Sequence, residues 1–532
     1  MGASLRALRA LVLLCGFYLL SLVLLALLGL FDWAVLSWVH HAVAAKIVFG
    51  TLLLAVPIVR GLFMLRAPAR EPLPGVPATE DQEPGLWRAV RETAAEVGTR
   101  APDEIVLTDE VNAAVAEDAR LLGLLPGTRR LYLGLPLMAG LDEFQLRAVL
   151  AHEMGHYAHL DTRLTPLVAR GRDHLERTVE HLRARADGKE AKERARQEKR
   201  AAKRIAKGKK ARAVDTEGEG FTYRVMAFVY TLYGAFYMRA TLAGDRRQEL
   251  AADLASVRVA GRDSAASALR ELAAVKSAHG FYLGSYATLG VRAGLLPLPG
   301  QFHGGFRLLL DARREELDEL RTELPTKPVT PFDSHPPLAE RVARIEALPD
   351  DGRAPRAPRP ALALLHDADA AMAALEPVTL SPEALALERL DWADLVHTSL
   401  TRYAAQDAAG AREAVAAEGA GPDLAALLTA LDTDPQLRGR LAERLPKSAE
   451  AAAATGRTAR EYARSALRAA LELLVTAELT QRGAARWQLS WSGPATLRLP
   501  SDGFADRLEA ALDAAVHDAP DTEPLRKLVL AP

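Results

Sequence analysis

The chain has 532 residues, enough for two or three domains, with 67 Lys and Arg against 68 Asp and Glu. That balance gives no bias towards nucleic acid, and no specific nucleic-acid partner is expected. The single cysteine, Cys15, excludes an internal disulfide and a cysteine-built metal site.

Residues 10–31, ALVLLCGFYLLSLVLLALLGLF, form an uncharged run just long enough to cross a bilayer as a helix. A cleaved signal peptide would have a shorter apolar core followed by small residues at a cut site. A second apolar stretch, 42–65, carries Lys46 and Arg60 near its ends, where they can snorkel. The connection, FDWAVLSWVHH, holds Trp33 and Trp38, a residue type that settles at membrane interfaces. Arg6 and Arg9 precede the pair, and Arg60, Arg66 and Arg70 close it, which argues for both ends in the cytoplasm. Residues 1–67 are therefore read as a transmembrane hairpin. The expectation is a multi-pass protein of the cell membrane, in contact with the lipid bilayer, with its body facing the cytoplasm.

Residues 68–84 are proline-rich and read as the exit linker. Residues 86–97 have helical spacing, and 104–108 and 130–134 read as short strands with Asn112 between them. A turn-forming role is the ordinary reading for that asparagine.

The stretch LRAVLAHEMGHYAHL, residues 146–160, contains H-E-x-x-H at His152 to His156. On a helix, residues four apart share a face, so both imidazoles can reach one ion. Glu153 adjoins the first histidine, where a carboxylate can take a proton from an activated water. Leu146, Val149 and Leu150 would bury the back of the helix. A metzincin would continue with Gly and His at positions held here by His159 and Thr162, so that class is excluded.

The chain then stays polar and helical to about Ala186. Residues 188–212, GKEAKERARQEKRAAKRIAKGKKAR, are strongly basic and read as a solvated or disordered linker. The aromatic-rich run 221–243 is short for a span. It suits an interfacial or re-entrant helix, with a third membrane contact left open.

A His2Glu site takes its glutamate from a second helix. RRQELAADLASV, residues 246–257, offers Glu249 and Asp253 four apart on one face. Glu249 is assigned as the third ligand and Asp253 as the carboxylate that orients a ligand histidine. The expected cofactor is zinc, one ion per chain, because two histidines and one carboxylate in tetrahedral geometry favour it.

Together, HEMGH and RRQELAADLA resemble the HtpX-like and CAAX prenyl protease family of membrane zinc endopeptidases. DEVNAAVAED, with Asn112 and Ala113, is similar to the family's Asn-Ala element, an edge strand that lines the substrate cleft. LDEFQLRAVLAHEMGH is similar to its approach into the metal helix, and SHPPLAERVARI to its downstream S/T-H-P element. The resemblance covers about residues 84–348. It departs at Ala114, where the family carries a larger aromatic. The resemblance implies substrate binding at Asn112 and Ala113 through the strand edge. His335 precedes two prolines that keep it off a helix, and a histidine near the metal can donate to an oxyanion. A structural turn histidine is the alternative. Arg341 can contact substrate in the same way or pair with a carboxylate.

Beyond about residue 352 a Pro/Arg linker leads into alanine-rich helical patterns, with one strand pair at 486–491 and 495–499. No catalytic constellation is visible there. The fold expected is mainly α with a small β-sheet: a membrane-anchored zincin (gluzincin) peptidase domain at 68–350 and a helical accessory domain at 351–532. The activity expected is metalloendopeptidase cleavage of peptide or protein substrates, with membrane proteins as the expected clients, zinc-activated water and Glu153 as general base. The alternative is a catalytically silent or gated membrane scaffold or sensor acting through the C-terminal domain.

Overall fold

The computed structural model describes residues 3–38, 40–63, 73–117, 127–158, 165–205, 216, 218–324, 336–353, 357–421 and 423–530. The chain divides into two compact units, Met1–Ala274 with Leu320–His366, and Val275–Glu319 with Asp367–Pro532. Both are mainly helical. The second unit takes residues 275–319 from well before position 351, so the three-dimensional division interleaves what the sequence reading separated at one point.

In the first unit, helix α1 (Ala3–Trp38) packs on α2 (His41–Phe63). Within α1, Tyr18–Trp38 is long and apolar enough to cross a membrane. The connection read at 31–41 is mostly helix instead. Residues 31–38 contain neither glycine nor proline to stop α1, and the Ser37 hydroxyl bonds the Trp33 carbonyl at 2.8 Å. Asp32 then accepts a 2.5 Å hydrogen bond from Thr51 of α2.

Strand β1 (Val76–Pro77) leads to helix α3 (Pro84–Val97), which starts on a proline and stops at Gly98 in the left-handed region, φ +81°. Leu86, Val90 and Ala94 bury one face of it. Strands β2 (Glu104–Thr108), β3 (Ala113–Glu117) and β4 (Arg129–Gly134) complete a four-stranded sheet in the order β1-β2-β4-β3. β2 and β4 run parallel, while β3 pairs antiparallel with β4 and forms one edge. Gly134 is required where β4 ends. A Cβ there would lie 1.6 Å from the Glu110 carbonyl oxygen.

After a short helix α4 (Leu135–Gly140), α5 (Glu143–Ala158) carries the H-E-x-x-H residues. Leu146 and Leu150 are fully buried. Helix α6 (Thr165–Ile205) runs straight through the first part of the basic stretch expected to be a linker. Alanine, glutamate, lysine and arginine are all strong helix formers, and pairs such as Glu190–Arg194 at 3.0 Å support the run. Residues 206–212 of that stretch lie outside the described residues.

Helix α7 (Phe221–Ala260) joins the aromatic run to the Glu249 segment in one 40-residue rod. Its N-terminal half buries Tyr230 and Tyr237 against Leu175 and Leu182 of α6, and the Tyr230 hydroxyl meets Ser21 of α1 at 2.8 Å. The opposite face leaves Phe221, Phe228, Leu232 and Phe236 exposed. Helix α8 (Arg262–Tyr282) follows and crosses into the second unit.

That unit continues with a π-helical turn at Leu283–Ala287, then β5 (Leu295–Pro297), α9 (Gln301–Ala312) and α10 (Arg314–Thr322). The chain returns to the first unit for α11 (Leu338–Glu346). The helix Ala368–Thr379 packs on α9, and the helices from Ala409 to Val529 close round Leu427, Leu428, Leu471, Val475 and Leu512. β6 (Glu388–Leu390) pairs parallel with β5. The strand pair read at 486–499 is present as β7 (Arg486–Gln488) and β8 (Thr496–Arg498), antiparallel.

Candidate metal centre

Helices α5 and α7 make the most extensive helix pairing of the first unit, and Gly155 allows it. A Cβ on Gly155 would stand 3.0 Å from the Ala255 Cβ and 3.1 Å from the Ala252 Cα, so α7 can approach closely only because position 155 is bare. The Ser256 hydroxyl donates to the Ala148 carbonyl at 2.8 Å and fixes the register of the two helices.

This register brings His152, His156 and Glu249 together. Their candidate ligand atoms all lie within 4.8 Å of one another. Glu249 Oε2 is 3.6 Å from His152 Nε2, and Glu249 Oε1 is 3.6 Å from His156 Nε2. The two imidazoles stand edge to face with centroids 4.9 Å apart. The Glu249 side chain is only 5% exposed, and a carboxylate so placed needs positive charge close by.

Asp253, one turn along α7, faces the other nitrogen of His152, with Oδ1 3.1 Å from Nδ1. Arg341 of α11 grips Asp253 with both arms of its fork, Nη2 to Oδ1 at 2.6 Å and Nε to Oδ2 at 3.0 Å. Its Nη1 is also 3.5 Å from Glu249. Of the two readings the sequence left open for Arg341, substrate contact or pairing with a carboxylate, the geometry matches the second: the side chain is buried, and Asp253 and Glu249 engage its guanidinium.

Burial works to lower the His152 pKa, but hydrogen bonds to Asp253 and Glu249 outweigh it and push the pKa up to about 9. The Glu153 charge acts in the same direction, and it also raises the pKa of Arg341, so its carboxylate is electrically close to both. Burial works to raise the Asp253 pKa, yet the bonds from His152 and Arg341 leave it below the ordinary aspartate value. The Asp253 carboxylate is thus held in its charged form beside a position suited to a cation.

Tyr157, the residue after the second histidine, was not singled out in the sequence. Its hydroxyl donates to the Val115 carbonyl of β3 at 2.6 Å, tying the metal helix to the sheet edge. Arg129 lies 4.7 Å over its ring and pairs with Glu117 of β3 at 2.8 Å. Burial pushes the Tyr157 pKa up to about 12, against the influence of Arg129. Asn112 is exposed immediately before β3, and its carbonyl accepts the Gly134 amide at 2.9 Å. Ala113 is buried opposite Leu133. His335 lies outside the described residues.

Residues 80–348, just over half of the chain, match the family model described as Peptidase family M48. The chain belongs to peptidase family M48. Comparisons with curated proteins and with solved structures gave no match. M48 peptidases are zinc metallopeptidases, and the donor set found here, two imidazoles and a buried carboxylate on two helices, fits zinc. The matched segment of this M48 protein spans α5, α7 and α11, which supply every residue of the centre described above.

Proposed function

We propose that this M48 protein is a membrane-bound zinc metalloendopeptidase of the HtpX-like type, with His152, His156 and Glu249 as ligands and Glu153 as general base. The observation that carries the proposal is the convergence of those three ligands, from α5 and α7, within 4.8 Å. When bound, zinc supplies Lewis acidity and lowers the pKa of water.

The chain's own residues do the rest. Asp253, oriented by Arg341, accepts the Nδ1 proton of neutral His152 and leaves Nε2 for the metal. Glu153, rigid on α5 next to His152, takes a proton from the attacking water and returns it to the leaving amine. The edge strand β3, joined to α5 through Tyr157, offers backbone groups near Asn112 and Ala113 to an extended peptide.

The apolar span in α1 and the exposed aromatic stripe of α7 support anchoring in a lipid bilayer. α7 then carries its membrane-facing half directly into the Glu249 turn. Positive flanks favour a cytoplasmic body. Membrane-protein segments close to the bilayer are the substrates that such an arrangement reaches first, in quality control or processing.

The test is cleavage of an unfolded model protein by the detergent-solubilised chain and its Glu153→Gln variant. Both are expected to carry zinc, and only the native chain is expected to cut. Equal cutting by the two would remove Glu153 from the mechanism.

A further inference from the structure

The second unit contains a cavity of about 660 Å³, within the size range of small-ligand sites and remote in composition from the metal chemistry. Its wall includes Phe281, Leu289, Leu400 and Trp487. Part of the lining, Ser285 and Tyr286, belongs to the π-helical turn, a geometry frequent at functional positions. The β7–β8 hairpin forms another wall and is held in place from below. The Tyr286 hydroxyl donates to the Ser490 carbonyl at 2.8 Å, and the Tyr286 ring stacks on Trp491 at 5.0 Å.

Among the described residues, one cation, Arg313, lines this apolar space. Arg313 donates from Nε to the Trp491 carbonyl at 2.8 Å, and its guanidinium lies 4.8 Å over the Phe281 ring. Its remaining contacts are long: Nη2 is 3.5 Å from the Tyr286 hydroxyl, and Nη1 is 3.6 Å from Glu316, whose side chain is half-exposed. An arginine has five N–H donors in a planar fork that matches a carboxylate. Here the Arg313 side chain is 19% exposed, and the carboxylate recorded beside it, that of the half-exposed Glu316, stands at 3.6 Å, beyond hydrogen-bond length, so the fork has donors left for a carboxylate ligand.

We infer that the cavity binds the free C-terminus of an apolar peptide, with the terminal carboxylate on Arg313 and apolar side chains against the aromatic wall. A carboxylate would complete the Arg313 fork in a setting where charge pairing is strengthened by apolar surroundings. Ser285, Ser490 and Ser492 distribute hydroxyls along the lining. A peptide needs such groups for its buried amides, whereas a fatty acid has no polar atoms beyond its head to use them. Every peptide-bond cleavage creates a new C-terminus, so the site has the chemistry to retain a product. That last step rests on the proposed peptidase function; the binding itself does not.

The experiment uses the full chain in detergent carrying Glu153→Gln, with mass spectrometry of each peptide after titration to verify that it is intact. Tryptophan fluorescence, with Trp487 in the wall, follows titration with acetyl-Leu-Leu-Phe-Leu as free acid, the same peptide as C-terminal amide, and decanoate. The expected result is saturable binding of the acid about tenfold or more tighter than the amide and than decanoate. Arg313→Gln is expected to shrink the acid-to-amide ratio to about twofold or less. Ser285→Trp, at an exposed lining position, is expected to fill the cavity and abolish binding with the thermal transition unchanged. Equal affinity for acid and amide, tighter binding of decanoate, undiminished binding in Ser285→Trp, or no saturable binding to the parent chain would each overturn the inference.

Discussion

Arg341 holds both oxygens of Asp253, at 2.6 and 3.0 Å, while Asp253 faces Nδ1 of His152 at 3.1 Å. The chain of contacts runs from α11 through α7 to α5 and ends on the imidazole of His152, one of the three candidate metal ligands. Removing one partner of such a buried set leaves the others uncompensated. Arg341→Lys loses the fork, and Asp253→Asn loses the charge. Each is expected to weaken zinc binding about 10- to 100-fold, with activity recovered by excess zinc. Competition with a chelator of known affinity measures the loss directly.

Gly155 limits the approach of the metal helices. In Gly155→Ala the new Cβ meets Ala255 and the Ala252 backbone at 3.0–3.1 Å, and the ligands on α5 and α7 must part by a few tenths of an ångström. A cost of about 1–3 kcal/mol is expected, together with weaker zinc binding. Adding Ala255→Gly removes the nearer contact and is expected to restore part of the stability. Thermal unfolding of the two single variants and the double variant tests the coupling.

Tyr157 links the metal helix to β3 through one hydrogen bond to the Val115 carbonyl. Tyr157→Phe keeps the ring under Arg129 and loses only that bond, for about 1 kcal/mol. Zinc content is expected to stay at the native level while KM rises, because the edge strand is no longer held against α5. A change in zinc affinity instead of KM would place Tyr157 with the ligands.

The second unit has its own pH dependence. His279 and His303 are buried, and burial lowers both pKa values to about 4, with His279 adding to the effect on His303. Both are held neutral when folded, while the unfolded chain takes up protons near pH 6.5. Below that value the unfolded state binds more protons, so stability rises with pH and is lost progressively from about pH 6.5 to 4. Each histidine contributes about 3 kcal/mol across that window as an order of magnitude. Thermal transitions recorded from pH 7 to 4.5 are expected to fall steeply for the native chain and less for His303→Gln.

The residues of the centre differ in how far the sequence alone could place them. His152, His156, Glu249 and Asp253 sit four apart in pairs, and helical spacing brings each pair to one face without tertiary information. Which helix faces which is a tertiary fact, so the use of Gly155 and Ser256 could not be read from spacing. The glycine inside H-E-M-G-H was still a signal, since a mid-helix glycine is costly unless something packs against it. Arg341 was visible as a charge, but its direction depends on how α11 lies over α7. Apolar composition pointed to α1 and α2 as helices, whereas their connection was misplaced because tryptophans do not mark a helix end. The basic run after Gly188 looked like a solvated linker by charge, and helix propensity with i,i+4 pairs kept it helical to Ile205. The pairing of residues 275–319 with the C-terminal part left no local pattern at all.

The most direct measurement is zinc content with X-ray absorption at the zinc edge, on the purified chain and on Glu249→Ala. The expected result is about one zinc per native chain, bound by two imidazoles and oxygen ligands, with most of it lost from Glu249→Ala. No zinc in the native chain, or undiminished zinc with two imidazoles in Glu249→Ala, would contradict the assignment of a His152, His156 and Glu249 centre.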